Sequence, residues 1–211
     1  MDKIIVPFGE ECYTCQSIDS KFSNSSIRKS AFPFDYVGHT FIEKIYNNIC
    51  DLFKNDKYID ITINDFEIKN FDNKYYFCHK KYEFKYWHDI SSNDGFFTDN
   101  DCNNFIEKYN RRYKRFYDTI MNCNDLHILS VNHFDNVYNK ISKESEIYKL
   151  YDLLYSYNNN IKIIAINFGN ELYVNPNILL INLPVNYNLP FSESKIQFTE
   201  CLYEFVNKIY T

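Results

Sequence analysis

The residues best suited to chemistry in the first part of the chain are Cys12 and Gly9. The apolar run at residues 4–8 predicts a buried strand, after which the chain is predicted to turn helical from Cys12 to about Phe22. Cys12 would then lie at or near a helix N-terminus, where unpaired N–H groups and the positive dipole end favour the thiolate. The thiolate is the nucleophilic form of cysteine, so Cys12 is a candidate nucleophile.

A cysteine nucleophile needs an imidazole to accept its proton, and His88 is the candidate base. The imidazole in turn needs an oxygen that fixes its orientation, which Asp35 or Asp89 could supply. Gly9 would allow the backbone to turn sharply before Cys12, whose N–H could serve in an oxyanion hole. The alternative is a buried structural cysteine and a histidine satisfied by Asp89, and these residues alone favour that alternative.

The spacing Cys12-x-x-Cys15 also permits a dithiol redox pair, since it follows a predicted strand at a predicted helix start. Pro176, before a predicted strand at 178–183, could supply the proline that such sites need. Against this interpretation, no Trp precedes Cys12, and the chain between the first helix and the last strands is too long for a minimal thioredoxin. A zinc site would need a second close Cys/His pair, so we expect neither a metal nor a cofactor.

The third candidate is the basic run at residues 111–116, in which Arg112 and Arg115 could bind a phosphate or a carboxylate. A charge run of this kind is normally a solvated helix face. A further possibility is that one arginine is buried and pairs with Asp35 or Asp89.

The composition excludes several classes of protein. A net charge of -5 and a pI near 5.5 argue against a general nucleic-acid binder. The sequence has neither an apolar run long enough to cross a membrane nor a recognisable signal peptide, so we expect a cytoplasmic protein that does not bind membranes. The 19% aromatic content accompanies heavy use of Asn, Ile and Lys, a bias typical of AT-rich genomes, and is therefore weak support for ligand binding.

Hydrophobic periodicity predicts one α/β domain spanning residues 1–211, with a mixed or mostly parallel sheet flanked by helices. An irregular, aromatic-rich insertion of short strands or hairpins is expected around residues 59–95. The other predicted elements are helices at 41–54 (with Thr40 as N-cap), from Asp101 to about 120, after Ser142 and from Ser192 or Ser194 to 209, and strands at 126–131, 161–166, 172–174 and 178–183.

Several of these segments, in this order, resemble a known family. The segments are Gly9-x-x-Cys12 after the first strand, Phe32-Pro33-Phe34-Asp35-Tyr36, His88-Asp89, and the basic run at 111–116 followed by an apolar strand. This order is similar to that of the papain-like cysteine peptidases of large DNA viruses, including poxviruses, and of some bacteria, a domain of unknown function. The resemblance spans roughly residues 3–135, and the remainder fits by element order.

The resemblance implies a peptidase-like cysteine hydrolase that attacks an acyl or isopeptide carbonyl, with a protein or peptide as a possible substrate. It makes Cys12 the nucleophile and His88 the general base, with Asp35 preferred over Asp89 as the orienting acid. A viral origin would place the protein in the host cytoplasm. An inactive relative that keeps the fold and binds a viral or host partner is the first alternative, and the Cys12–Cys15 redox pair is the second.

Overall fold

The computed structural model of the chain describes residues 3–9, 15, 19, 31–35, 37–38, 41–54, 57–131, 144–166, 175–184, 189 and 191–209. Cys12 lies outside these residues, as do most of the predicted first helix, the predicted caps Thr40 and Ser142, and the predicted strand at 172–174.

A four-stranded parallel sheet forms the centre of the fold, as the alternation of strands and helices predicts. Its strands, numbered along the chain with the strands of the insertion described below, are β1 (Ile4–Gly9), β7 (Leu126–Val131), β8 (Ile161–Ile166) and β9 (Ile178–Ile181). They lie side by side in the order β1-β7-β8-β9. Every residue of β7 is buried between its neighbours, which explains its nearly continuous apolar sequence.

Among the described residues no strand pairs with the outer side of β1, so β1 is an edge of the described sheet, and it contains Pro7. The Ile4 N–H donates to the Asp125 carbonyl at 3.1 Å, so the backbone groups of alternate residues from Ile4 onward point toward β7. Pro7 is three residues after Ile4, an odd number, so its nitrogen points to the opposite side, away from β7. A proline, which has no N–H, is tolerated at such an edge position because no ladder hydrogen bond is lost.

The sheet is covered on both faces because successive strand residues point in opposite directions. One face carries Val6, Phe8, Leu126, Ile128, Ile161, Ile163, Ala165 and Ile178. The helices α1 (Ile42–Leu52), α2 (Asp99–Asn122) and α3 (Glu144–Tyr157) contribute to the core on that face. The opposite face packs against α4 (Phe191–Ile209) through Phe198, Leu202 and Val206. None of the helices in the described ranges is both long enough and apolar enough to cross a bilayer.

Helix α2 begins at Asp99, two residues before the predicted start at Asp101. Thr98 is the N-cap: its hydroxyl accepts the Asp101 N–H at 3.1 Å, and the Asp101 carboxylate accepts the Thr98 N–H at 3.0 Å. This reciprocal capping box satisfies two backbone groups at the helix start. Asp101 is therefore the third residue of the helix rather than its first.

Helix α1 begins at Ile42 with Phe41 as its N-cap, although Thr40 was expected there. Phe41 has an extended backbone and offers no side-chain cap. Its Ile42, Ile45, Ile49 and Leu52 side chains are buried, so burial of an apolar stripe, rather than capping, stabilises this helix.

The predicted insertion consists of short strands and a single 3-10 turn, and its main sheet is antiparallel. Strands β2 (Phe53–Lys54) and β3 (Lys57–Tyr58) form a pair, and Ile63–Asp65 forms the 3-10 turn. Strands β4 (Phe66–Phe71), β5 (Lys74–His79) and β6 (Ser91–Ser92) form a three-stranded sheet. Asp72 and Asn73 connect β4 to β5 with φ values of 51° and 58°, as a two-residue hairpin turn requires.

Candidate functional site

The carboxyl end of β1 is where several of the predicted segments meet. The Phe8 ring contacts the rings of Phe34 and Phe116 at centroid distances of 5.2 Å and 5.7 Å. The turn at residues 33–35 and helix α2 therefore pack together beside the last residues of β1. Ligand sites of parallel α/β sheets commonly lie at this end of the strands.

Gly9 is the last residue of β1 and pairs with Val131. Cys12 follows three residues later, outside the described residues.

Asp35 is fully buried in the turn between Phe32 and Val37. Its Oδ2 accepts the Phe32 N–H at 2.6 Å, and its own N–H donates to the Phe32 carbonyl at 3.3 Å. The first bond fixes the position of the Asp35 carboxylate, and the second closes the backbone turn. Arg115 fixes the start of this turn by donating from Nη1 to the Ala31 carbonyl at 2.6 Å.

Asp89 faces helix α2. Arg112 donates to Oδ2 at 3.0 Å, the Tyr109 hydroxyl donates to the same oxygen, and Lys108 donates to Oδ1. Burial acts to raise the pKa of Asp89, but Arg112, Lys108 and Tyr109 together hold it below its ordinary value. Both oxygens of Asp89 are therefore bound by side chains of helix α2, and neither is bound by the His88 ring.

His88 is exposed, and its ring makes no hydrogen bond or ion pair with any residue in the described ranges. The neighbouring Trp87 ring lies 6.1 Å from it, centroid to centroid. His88 is accessible to solvent and to an added reactant. Since Cys12 is outside the described residues, the Cys12–His88 pair stays a prediction.

Arg112 and Arg115 are both engaged within the chain. Arg112 pairs with Asp89 and lies over the Tyr109 ring, with its guanidinium carbon 5.0 Å from the ring centroid. Arg111 and Lys114 form the solvated part of the basic run, in exposed pairs with Glu107 and Asp118. The arginines position the 31–35 turn and Asp89, and their contacts do not resemble an open anion clamp.

Cys15 and Asp19 are both helical, and the Cys15 thiol donates to the Asp19 carboxylate at 3.3 Å. The Cys15 side chain is buried. A thiol that donates to a carboxylate is in its protonated form, which is the unreactive one. Within the described ranges no group of three or more His, Cys, Asp or Glu side chains is arranged to bind a metal ion.

Ser130 is a polar group at this end of the sheet that sequence reasoning missed. It pairs with Phe8 on one side and Ala165 on the other, and it is fully buried. Within the described part of the chain its hydroxyl has no hydrogen-bond partner. The available signal was a serine inside the otherwise apolar run at 126–131.

In comparisons with known proteins, no protein-family model, no curated protein and no solved structure matches the chain.

Proposed function

We propose that the protein is a cysteine hydrolase that cleaves a peptide or isopeptide bond, with Cys12 as nucleophile and His88 as general base. This is also the activity that the resemblance to papain-like cysteine peptidases implies.

In this reaction the Cys12 thiol transfers its proton to the His88 imidazole, and the sulfur attacks the carbonyl carbon of the substrate. The C–N bond then breaks, and the departing amine takes the proton from the imidazolium. Water, deprotonated by the neutral imidazole, attacks the resulting thioester. This second step releases the carboxylic acid and restores the thiol.

The observation that carries the proposal is the contact of Phe8 with Phe34 and Phe116 at the carboxyl end of β1. Phe34 directly precedes Asp35. Phe116 lies one helical turn after Arg112, which binds Asp89. His88 is adjacent to Asp89 and is accessible. Segments distant in sequence that carry the proposed residues thus pack toward the strand end from which Cys12 follows.

Of the two predicted acids, Asp35 is the one we propose to orient His88, although the His88 ring is hydrogen-bonded to neither of them in the described structure. Asp35 is buried in a rigid turn beside β1, whereas the oxygens of Asp89 are bound by Arg112, Tyr109 and Lys108. An orienting carboxylate works by being immobile, and the bond that the Asp35 carboxylate accepts from the Phe32 N–H supplies that property.

Labelling by a peptidyl vinyl sulfone, which forms a thioether with an activated cysteine, tests this proposal. Cys12→Ala should abolish labelling, and His88→Ala should slow it at least about 100-fold, because base catalysis typically contributes that much. The matched control is Cys102→Ala. Cys102 is a half-exposed thiol whose pKa is raised by burial and by Asp99 and Asp101, so its removal should leave labelling unchanged.

Circular dichroism of each variant must match the parent protein for this comparison to hold. Equal labelling of the parent protein and Cys12→Ala would rule out the proposed nucleophile. Loss of labelling in Cys12→Ala with no effect of His88→Ala would keep the nucleophile and reject the base.

An interaction function is the second candidate, and the exposed apolar residues of the insertion favour it. Phe71 and Phe96 are 64% and 71% exposed, and Ile59, Ile63 and Ile68 are also exposed. Exposed apolar side chains mark an interaction surface where they form a contiguous patch, and the second candidate function requires that these side chains do so. If this function is the biological one, a Phe71→Ser/Phe96→Ser variant should fail to complement a deletion of the gene, whereas Cys12→Ala should complement it.

A further inference from the structure

Strand β4 lies at the edge of the antiparallel sheet, because β5 is the only strand that pairs with it among the described residues. Ile68, near the middle of β4, is a large apolar side chain that is 50% exposed. Its neighbours Glu67 and Lys69 are 44% and 42% exposed, and they pair with each other at 3.0 Å. An accessible strand edge of this kind is a template on which another strand can pair.

The hydrogen bonds of β5 show which of its backbone groups face β4. The Tyr86 N–H donates to the Phe77 carbonyl at 3.0 Å, and the His79 N–H donates to the Phe84 carbonyl at 3.0 Å. Phe77 and His79 therefore direct their backbone groups away from β4. Because this direction alternates along a strand, the intervening residues of β5 face β4. These residues are Lys74, Tyr76 and Cys78.

The same alternation fixes the direction of the backbone groups in β4. The residues of β4 that lie opposite Lys74, Tyr76 and Cys78, and so bond to β5, are Phe71, Lys69 and Glu67. Ile68 and Asn70 thus direct both their N–H and their carbonyl outward. Phe66 directs its carbonyl outward, whereas its N–H donates to the Ile63 carbonyl of the preceding turn. The outer side of β4 therefore offers donors and acceptors to a further strand.

The charges of β4 are complementary to those of a second copy of the same strand. Two copies related by a two-fold axis pair antiparallel, and the axis must lie at a residue that points outward. With the axis at Ile68, Glu67 of each copy lies opposite Lys69 of the other. An axis at Phe66 would instead place Glu67 opposite Asp65, which has the same charge. Charge complementarity thus selects the register centred on Ile68.

We propose that the chain forms a two-fold symmetric dimer through antiparallel pairing of β4 with β4 of a second copy, centred on Ile68. The Ile68 N–H of each copy donates to the Ile68 carbonyl of the other, and each Asn70 N–H donates to the Phe66 carbonyl of the other. Glu67 and Lys69 then occupy the positions between these bonds, where facing side chains are closest. The two exposed Ile68 side chains cover each other. This dimer goes beyond the proposed hydrolase and does not depend on it.

Sedimentation equilibrium across a wide concentration range is the direct test. A single pair of strands buries less area than a standard interface, so we expect a dissociation constant between about 10 μM and 1 mM. Amide hydrogen exchange reports the surface involved: at high concentration the Ile68 and Asn70 amides should exchange more slowly than in dilute protein. The Lys69 amide, which already bonds to β5, should not change. A chain that stays monomeric through this range, or a dimer without protection of Ile68 and Asn70, would overturn the proposal.

Charge reversal tests the register. Lys69→Glu and Glu67→Lys should each weaken self-association at least about 10-fold, because the two-fold axis turns two attractive pairs into two repulsive ones. An equimolar mixture of the two variants should associate as the parent does, since opposite charges face each other again. The matched control is Lys74→Glu, which changes the net charge equally at an exposed position on β5. Unchanged association of Lys69→Glu, or no recovery in the mixture, would contradict the proposed pairing.

Discussion

Arg112 binds Asp89 across 23 residues of sequence, with Nη1 3.0 Å from Oδ2 and both side chains only 12% exposed. A pair with so little solvent access is weakly screened, and the remaining partner is left with an uncompensated charge when one member is removed.

Asp89→Ala should therefore lower the free energy of unfolding by about 3 kcal/mol, because it leaves Arg112 buried without its carboxylate. Urea denaturation at pH 7 measures the change. The matched control is Glu107→Ala, which removes the exposed Arg111–Glu107 pair and should cost less than about 0.5 kcal/mol. Equal losses in the two variants would show that burial does not strengthen the Asp89 network.

His79 should make the protein less stable in mild acid. Burial lowers its pKa from 6.5 to about 4, although Asp65 and Asp51 oppose the effect. Between these two values the unfolded chain binds the proton more readily than the folded protein does. The stability that His79 contributes is thus complete above pH 6.5 and is lost as the pH falls toward 4, by up to about 3 kcal/mol.

The test is urea denaturation across this pH range for the parent and for His79→Asn. The Lys81 N–H donates to Nδ1 of His79, and the asparagine oxygen can accept the same bond. We expect a shallower acid dependence in His79→Asn than in the parent protein. Parallel curves for the parent and His79→Asn would contradict the assigned role of His79.

The capping box at the start of α2 predicts that Thr98→Ala destabilises the protein by about 1 kcal/mol. The substitution removes the hydroxyl that accepts the Asp101 N–H. Thr98→Ser retains an equivalent hydroxyl and should restore most of the loss. Thermal or urea unfolding compares the three proteins, and the cap is unimportant if serine and alanine have the same effect.

The hairpin between β4 and β5 should tolerate Asn73→Gly and resist Asn73→Val. Asn73 has a φ of 58°, a conformation that glycine adopts freely and that a β-branched residue avoids. We expect the valine variant to lose at least about 1 kcal/mol of stability relative to the glycine variant. A smaller difference would mean that the turn relaxes to a different type.

Arg115→Met should loosen the turn that holds Asp35. The substitution removes the 2.6 Å bond from Nη1 to the Ala31 carbonyl but keeps an unbranched apolar stem. The Phe32 N–H, which donates to Asp35, should then exchange with deuterium faster, while amides in β7 should be unaffected. Arg111→Met is the matched control because Arg111 is exposed, and equal exchange in both variants would remove Arg115 from this role.

Local pattern was sufficient to predict the strands of the parallel sheet. The predicted bounds at 126–131 and 161–166 agree with β7 and β8 to the residue, because buried strands have continuous apolar sequences with clear ends. Helix starts were less accurate. Asp101 and Thr98 both suit a helix start, and only the reciprocal hydrogen bonds show which of them is the cap.

Contacts between distant segments could not be predicted. Asp89 is adjacent to His88 in sequence, but its oxygens bind three residues of α2, which lie 19 to 23 positions away. Burial of Asn48 was equally hidden, since an asparagine in a helix usually indicates a surface position. The role of Cys12 as nucleophile and its proximity to His88 remain predictions from the sequence.

Pro7 also has a consequence for how molecules of this protein meet one another. Its nitrogen has no hydrogen to donate, so a strand added along the outer side of β1 would lack a ladder bond at its middle. Pro7 is also buried, so other parts of the protein cover this position. Both features make the outer side of β1 a poor template for intermolecular strand addition.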